Sequence, residues 1–431
     1  MKKKVYVSLS ADILHSGHIN ILKRASKLGN VTVGLMTDKA ISEYKKIPLL
    51  NYTQRKIVVQ NLSMVKNVIP QDTKDYRPNL KKLKPNYVVH GDDWKNGVLK
   101  ESRDQVIKEL KKWSGKLIEF KYTKNISSTK IKKDVLNNSS FRNNRTSILK
   151  RLIKNKTLVR VIESHSPLVG LIIENLNFSK KNQNFEFDAM WSSSLTESLI
   201  RGKPDNQSVE LSTRIKALSD VLDVTTKPLI FDADNGGRIE HLPYTINSME
   251  RQGVSAIVIE DKIGLKKNSL LKNQKDTQQD SINNFCKKIK TVKKSRKSED
   301  FMIVARIESF ILGKGLNDAL KRAINYSKSG ADAILIHSKE SNPNQIFNFA
   351  KKFKKNRYFK PMIAVPSSYS KTYEKDLIKN GFSVVIYANH LLRASYMVMK
   401  KTAKDILKYK RSFEAEKNIS SVKDILNVKP E

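Results

Sequence analysis

Cysteine is almost absent from this chain: among 431 residues there is one, Cys286. A single thiol excludes an intramolecular disulfide and any multi-cysteine metal site, and a reducing compartment accounts for such sparing use. Long apolar runs are missing as well. No stretch approaches the roughly 18 residues that cross a bilayer, and the N-terminal MKKKVYVSLSADILHSGH has no small-residue cleavage site. A cytoplasmic enzyme or binding protein without a membrane partner is expected. Acidic residues are scarce beside basic ones, 42 Asp and Glu against 82 Lys and Arg, for a formal charge of +40. Such an excess ordinarily suggests nucleic acid. The lysines are dispersed, however, mostly as pairs on helix-like segments such as LKKLK, IKELKKW and FAKKFKK, with no arginine-rich arm, zinc finger or RNA-stacking signature. They read as a solvated surface whose field draws in small anionic substrates, and no nucleic-acid partner is expected.

What is present is core material arranged in two α/β blocks. Residues 1–132 alternate short apolar runs (KVYVSL, NVTVGLM, NYVVHG, KLIEFKY) with helix-like periods (HINILKRASKLG, TQRKIVVQNL, QVIKELKKWSG), the pattern of a Rossmann-like parallel sheet. Residues 133–156, rich in Asn, Ser and basic side chains, read as a linker with a helix starting near Thr146. From 157 to 431 the chain offers eight candidate strands, LVGLIIE, FEFDAMW, KPLIFDA, VSAIVIE, FMIVARIE, ADAILIH, KPMIAVP and FSVVIYAN, with helical segments between most of them. Eight βα units predict a TIM-type (β/α)8 barrel followed by C-terminal helices.

The strand ends are polar: Trp191 and Ser193, Asp232 and Asp234, Glu260, Arg306 and Glu308, His337, and Asn389. In a barrel these ends meet on one face, where catalytic groups sit. So many ionisable groups at one mouth repel one another unless a cation is present. In FDADNGG, Asp232 and Asp234 lie two apart on an extended chain and point the same way, and Glu260 comes from the next strand. Three carboxylates without thiolate or paired histidine suit Mg²⁺ retaining several waters, not zinc.

The stretch EDKIGLKKNS, residues 260–269, matches the EDKxGxKxNS signature of phosphoenolpyruvate mutase, in the isocitrate lyase and phosphoenolpyruvate mutase superfamily, and the resemblance covers nearly all of the second block. WSSSLTESLIRGKPDNQ resembles that family's substrate strand and following loop, FDADNGG its metal site, ARIES and ILIHSK its phosphate-side strands. The resemblance implies that Trp191 and Ser193 contact substrate, that Asp205 lies beside it, and that Asp232 meets Mg²⁺ directly while Asp234 and Glu260 act through water. It implies further that Lys266, Asn268 and Ser269 ride on a mobile lid, that Glu308 binds substrate, and that Arg306, His337, Asn268 and Mg²⁺ stabilise the phosphoryl group in transit. The reaction implied moves that group of phosphoenolpyruvate from oxygen to carbon, giving phosphonopyruvate. Isocitrate and methylisocitrate lyases resemble this barrel but carry a KKCGH loop with a catalytic cysteine, and phosphonopyruvate hydrolase lacks the asparagine found here as Asn268. Mutase relatives assemble through barrel helices, and HLLRASYMVMKKTAKDILKY is apolar enough to serve, so a homo-oligomer is expected.

In the first block ILHSGHINIL follows a strand and opens a helix, so Gly17 at the helix N-terminus, His15 and His18 converge on one anion. HSGH resembles the HxGH motif of the nucleotidyltransferases, and MTDKAISEYKK, NYTQR, HGDDW and NISSTKI make the glycerol-3-phosphate cytidylyltransferase branch the nearest. By that resemblance His15 and His18 would stabilise the α-phosphate of CTP. Lys46, or its neighbour Lys45, and Arg55 would bind phosphates or the acceptor, and Ser128 and Thr129 would line the triphosphate. Asp12, Asp92 and Asp93 would hold nucleotide and a second Mg²⁺. LSAD stands where the family has GTFD, and Tyr122 where it has the arginine of RTEGIS, which removes a clamp for glycerol phosphate. The order of modules resembles the two-domain mutases of fosfomycin biosynthesis, so CMP transfer to a phosphonate is expected, 2-hydroxyethylphosphonate first. A degenerate module, or one specific for 2-aminoethylphosphonate or glycerol phosphate, is the alternative. A separate phosphonopyruvate decarboxylase would drive flux, since no thiamine site or GxGxxG fingerprint occurs here.

Overall fold

Valine and isoleucine dominate the runs at the front of the chain, and β-branched residues favour a pleated, half-buried strand. A computed structural model describes residues 2–43, 45–95, 100–121, 123, 142–180, 183–264, 266–271, 274 and 277–428. The chain divides into two units, 1–141 with 178–185, and 142–177 with 186–431.

The first unit holds β1 (Lys4–Leu9), β2 (Asn30–Met36), β3 (Val65–Gln71), β4 (Tyr87–Gly91) and β5 (Lys116–Phe120) in one sheet of order β3-β2-β1-β4-β5. All pairs are parallel. Alternate residues feed two cores, Val5, Val7 and Leu9 on one face and Tyr6 with Val88 and Trp94 on the other. Strand β3 is not foreshadowed by the apolar runs. Its sequence VKNVIPQ carries Lys66, Asn67 and Pro70, which an edge position tolerates because one side of the strand has no partner to satisfy. The order in which strands are added reverses between β1 and β4, and the helix Ser16–Ser26 that bears HSGH leaves β1 there. Ligands of open α/β sheets bind at such a crevice.

The second unit is a closed parallel barrel. Its strands run β10-β11-β14-β15-β16-β17-β6-β9 around the ring, with β6 Val159–Glu163, β9 Ala189–Ser192, β10 Leu229–Asp232, β11 Ala256–Glu260, β14 Met302–Ile307, β15 Ala333–Ile336, β16 Met362–Ala364 and β17 Phe382–Tyr387. The first expected strand is wrong: LVGLIIE belongs to a helix, Pro167–Asn175. Ser166 caps it by accepting from Val169 N, and Pro167 occupies the first turn, so local start signals override the apolar run. The first strand is instead VRVIE, one element upstream, where Arg160 interrupts the apolar pattern and pairs with Glu374 at 2.7 Å. FEFDAMW is likewise split, between β8 (Gln183–Glu186), which pairs with β7 (Asn177–Lys180) in a separate two-stranded sheet, and β9.

Of the segment 133–156, residues 133–141 lie outside the described residues and Arg142–Asn155 form a helix. Arg145 Nη2 donates to Leu222 O at 2.8 Å and Ser255 Oγ donates to Arg145 O at 3.0 Å, so that helix packs on the barrel. The last long helix, His390–Tyr409, buries none of its residues and exposes Met397 and Leu407 at 67% and 79%. Among the described residues no helix is long and apolar enough to cross a membrane.

Candidate active site

Parallel closure brings the C-terminal ends of the barrel strands to one rim. Asp232 ends β10, Glu260 ends β11, Arg306 lies near the end of β14 with Glu308 two residues on, and His337 follows β15. Arg306 is the hub of one knot. Its Nε donates to Glu308 Oε1 at 2.6 Å and its Nη2 to Ser269 Oγ at 2.8 Å, while Nη2 lies 3.2 Å from Glu260 Oε2 and 3.5 Å from His337 Nδ1. The Ser269 hydroxyl donates to Glu308 Oε2 at 2.5 Å and accepts from Lys262 Nζ at 2.9 Å.

A second knot forms around Lys266. Its ammonium donates to Asp205 Oδ1 at 2.6 Å and to Ser194 Oγ, and pairs with Asp234. Asn268 Nδ2 donates to the other Asp205 oxygen at 2.7 Å. Ser194 Oγ in turn donates to Asp232 Oδ2 at 3.0 Å, and Asp234 N donates to Asp232 Oδ1 at 3.2 Å. Glu260 N, donating to Asp234 O at 2.8 Å, joins the two knots. The turn after Asp232 takes left-handed backbone at Asp234 (φ +52°), and a Cβ at Gly236 would come within 3.2 Å of Ile259. A non-glycine residue held there marks a position over-determined by its surroundings.

The electrostatics follow from burial. Burial alone raises carboxyl pKa values, and Glu260 is pushed up to about 7 by it despite Arg306 and Lys262. At Asp232 the same penalty is outweighed by Lys266, Arg306 and Arg214, and at Glu308 by Arg306, His337 and Lys262, so both are held below the usual range. Burial would lower Lys266, yet Asp234, Asp232 and Asp205 hold it above the usual lysine range. His337 is lowered by burial and by Arg306 and is a neutral imidazole at neutral pH.

Six carboxylates (Glu197, Asp205, Asp232, Asp234, Glu260, Glu308) face four cations (Arg214, Lys262, Lys266, Arg306) here. Asp234 Oδ1 and Glu260 Oε2 are buried and, among the described residues, are each met by one cation, Lys266 and, at 3.2 Å, Arg306, so each oxygen keeps a lone pair. Spare oxygen lone pairs and surplus negative charge suit a hard divalent cation. Among the described residues no three Asp, Glu, His or Cys converge as a ready-made cage, so the donor set fits an ion that keeps most of its water, as Mg²⁺ does.

Of the other residues expected in the barrel site, Trp191 is buried on β9, Ser193 Oγ accepts from Thr196 N to cap the next helix, and Asn389 is buried after β17. Four participants were not singled out, Lys262, Arg214, Glu197 and Ser194. Lys262 sits two residues beyond Glu260 and could have been found by the period-two reasoning that paired Asp232 with Asp234. Arg214, fully buried, donates Nε to Glu197 Oε2 at 3.0 Å and Nη1 to Asp234 Oδ2 at 3.3 Å. Its signal was a charge on the apolar stripe Leu211, Ile215, Leu218, Val221, Leu222 of its helix. Ser194 left no signal beyond its place in WSSS.

In the first unit His15 caps the helix Ser16–Ser26, its Nδ1 accepting from Gly17 N at 3.2 Å, and His18 Nδ1 accepts from His15 N at 3.4 Å. In a neutral imidazole whose Nδ1 accepts, the proton resides on Nε2. Both rings therefore present Nε2–H donors, with centroids 3.9 Å apart. Burial, His15 and Lys45 lower His18 to about 3, and burial lowers His15. A Cβ at Gly17 would lie 3.0 Å from the His15 ring, which explains the glycine of HSGH.

Asp12 Oδ1 accepts from Leu49 N at 2.6 Å and Leu50 N at 3.4 Å, anchoring the loop after Lys45 and Lys46. Arg55, expected at a phosphate, is fully buried: it donates to Ser10 O, Met36 O and Leu50 O and pairs with Asp38 at 2.7 Å. Asp92 opens a short 3-10 turn, Asp92–Lys95, in which Trp94 stacks on His90 at 3.9 Å and donates to Glu119. The side chain of Asp93, and Tyr122, Ser128 and Thr129, lie outside the described residues.

Comparison with known proteins follows this division. Residues 149–407 match the family model of phosphoenolpyruvate phosphomutase, and residues 10–134 match that of cytidylyltransferase-like domains. The chain is 34% identical over 288 residues to phosphoenolpyruvate phosphomutase of Tetrahymena pyriformis, covering 67% of this chain and 92% of that protein. It is 32% identical over 135 residues to glycerol-3-phosphate cytidylyltransferase of Bacillus spizizenii, covering 31% of this chain and 97% of the relative. A solved structure of phosphonopyruvate hydrolase with oxalate and Mg²⁺ superimposes with a TM-score of 0.59 at 28% identity, over 66% of this chain and 94% of that one.

Proposed function

This chain belongs to the phosphoenolpyruvate phosphomutase family, and from that premise we propose that its barrel isomerises phosphoenolpyruvate to 3-phosphonopyruvate while its cytidylyltransferase-like unit transfers CMP from CTP to a phosphonate. The observation that carries the first half is the meeting of Asn268 and Lys266 on Asp205, next to the Arg306, Ser269 and Glu308 knot.

In the barrel the phosphorus–oxygen bond of phosphoenolpyruvate breaks, the enolate of pyruvate remains, and its carbon takes the same phosphorus. The protein's task is to hold two anions in register and keep water away. Arg306, a permanent cation near neutral His337, stabilises the phosphoryl group in flight, and Asn268 offers an amide donor that a solvent molecule would otherwise replace. Trp191 and Ser193 bound the pyruvate side. Asp232 would hold Mg²⁺ directly and Asp234 and Glu260 through water; when bound, the ion neutralises negative charge on the substrate. Phosphonopyruvate hydrolysis is the second reading, favoured by the likeness to the hydrolase structure. Asn268 argues for the mutase.

In the first unit a phosphonate oxygen attacks the α-phosphorus of CTP, and the bond to the departing pyrophosphate breaks. The two Nε2–H groups of His15 and His18 and the amides at the helix N-terminus meet the charge that develops there. Lys45 or Lys46 faces the phosphates, Asp12 and Arg55 set the loop that carries them, and Asp92, Asp93, Ser128 and Thr129 would hold the nucleotide and a second Mg²⁺, which when bound would neutralise charge on the triphosphate. The best acceptor is 2-hydroxyethylphosphonate. A decarboxylase must consume phosphonopyruvate, the exposed helix His390–Tyr409 supports a homo-oligomer, and these substrates are those of the cytoplasm.

Phosphorus NMR tests both halves. With phosphonopyruvate and Mg²⁺ the vinylic phosphate resonance should grow; inorganic phosphate alone would select the hydrolase, and no change would reject both. With CTP and 2-hydroxyethyl- or 2-aminoethylphosphonate, a mixed anhydride and pyrophosphate should appear. Failure with every acceptor would leave a degenerate module.

A further inference from the structure

The loop that carries Lys266, Asn268 and Ser269 leaves the barrel at Glu260 and returns at Asp280. Its base is a two-rung antiparallel ladder between β12 (Lys262–Ile263) and β13 (Gln278–Gln279), closed by Asp280 N donating to Asp261 O at 2.8 Å. Behind this base stands Asp261, fully buried. Its Oδ1 accepts from Glu308 N at 2.9 Å. Its Oδ2 accepts from Tyr326 OH at 2.8 Å, Gln279 Nε2 at 3.0 Å and Arg322 Nη1 at 3.1 Å. Arg322 Nη1 also donates to Asp280 O at 2.8 Å, its Nε to Asp318 at 2.8 Å, and Gln279 Nε2 to Ser309 Oγ at 3.1 Å.

Asp261, itself leading into the outgoing strand of the loop, thus holds three things through its carboxylate: the returning strand through Gln279, the backbone of Glu308, and the barrel helix Gly315–Ser329 through Arg322 and Tyr326. A carboxylate has about four lone-pair sites; here three of the four donors share Oδ2 and one meets Oδ1. Glu308 is the residue on which Ser269 and Arg306 converge. Asp261 therefore ties the base of the loop to the backbone of Glu308, the residue on which the Arg306 knot is built.

We propose that Asp261, with Gln279, Arg322 and Tyr326, is a positioning clamp that fixes the register of the Lys266–Ser269 segment against Glu308 and so decides whether the phosphoryl group reaches carbon or water. This rests on the mutase reading above. Loosening the clamp leaves the pocket residues in place but admits solvent. The phosphorus–carbon bond of phosphonopyruvate then breaks as phosphorus bonds to a water oxygen, the water gives up a proton, the enolate carbon takes one, and pyruvate and inorganic phosphate leave.

The test uses Gln279→Ala and Tyr326→Phe, each of which removes one donor to Asp261 and touches no pocket residue. Both variants, with wild type, are given phosphonopyruvate and Mg²⁺, and the ratio of inorganic phosphate to phosphoenolpyruvate is read by phosphorus NMR. In parallel, trypsin cleavage after Lys266 and Lys267 is timed in the presence of oxalate and Mg²⁺. Expected are thermal transitions near that of wild type, a phosphate fraction raised ~10-fold or more, and faster cleavage. An unchanged product ratio in both variants overturns the clamp, with or without faster cleavage. If wild type forms no phosphoenolpyruvate the mutase reading falls, and cleavage at the wild-type rate in both variants then overturns the clamp separately.

Discussion

Lys266 and Asp205 meet at 2.6 Å although 61 residues separate them in sequence. The same ammonium pairs with Asp234, on the turn after β10, so one loop side chain bridges an acid from the loop after the helix Ser194–Leu199 and an acid from the barrel rim. Breaking this bridge strands buried carboxylates without a counter-charge, which is costly.

Replacing Asn268 by alanine removes the donor to Asp205 without altering charge. Isomerisation should fall by about 10²- to 10³-fold, the usual loss for one transition-state donor, while CMP transfer stays at the wild-type rate. Comparable loss of both activities, measured side by side by phosphorus NMR, would contradict separate sites.

Asp232→Ala should abolish isomerisation, and chelation by EDTA should do the same to wild type, reversibly on adding Mg²⁺. Isothermal titration of Mg²⁺ supplies a readout independent of turnover. Heat of binding persisting unchanged in the variant would remove Asp232 from the ion's ligands.

His18 has a folded-state pKa near 3 because of burial, His15 and Lys45. An unfolded chain takes up that proton near the ordinary value of about 6.5, so between these values the unfolded state binds more protons and stability declines as pH falls. Imidazole NMR of the native protein should show a ring, identified by its loss in His18→Asn, that does not titrate between about pH 5 and 8. The same variant should lose CMP transfer and keep isomerisation.

Arg55→Met removes the guanidinium that pairs with Asp38 and donates to three backbone carbonyls. Removing one partner of a buried pair costs about 3–5 kcal/mol, so the first unit should melt earlier in calorimetry. A variant as stable as wild type, with weaker CTP binding alone, would return Arg55 to the role of a phosphate ligand.

The barrel was legible because each strand end that matters is an apolar run followed by an ionisable residue, as at Asp232, Glu260 and His337. Where the reading failed, a local signal competed with the run. Ser166 and Pro167 start a helix inside LVGLIIE, and Arg160 hides the true first strand because its charge is answered by Glu374, far away in sequence. Strand β3 was hidden by Pro70, which only the sheet edge accommodates. The site showed the same division. In the barrel Asp205, Lys266 and Asn268 meet, as do Ser269, Arg306 and Glu308, but their supports Ser194, Arg214 and Asp261 owe their places to partners that sequence spacing does not reveal.

The three tryptophans are distributed unevenly: Trp94 and Trp113 stand in the first unit, and Trp191, on β9 at the barrel rim, is the only indole of the second. Each unit therefore carries its own intrinsic fluorophore. With both indoles of the first unit changed to phenylalanine, the emission that remains comes from β9 of the barrel alone, and the unfolding of that unit becomes visible by light without any attached dye.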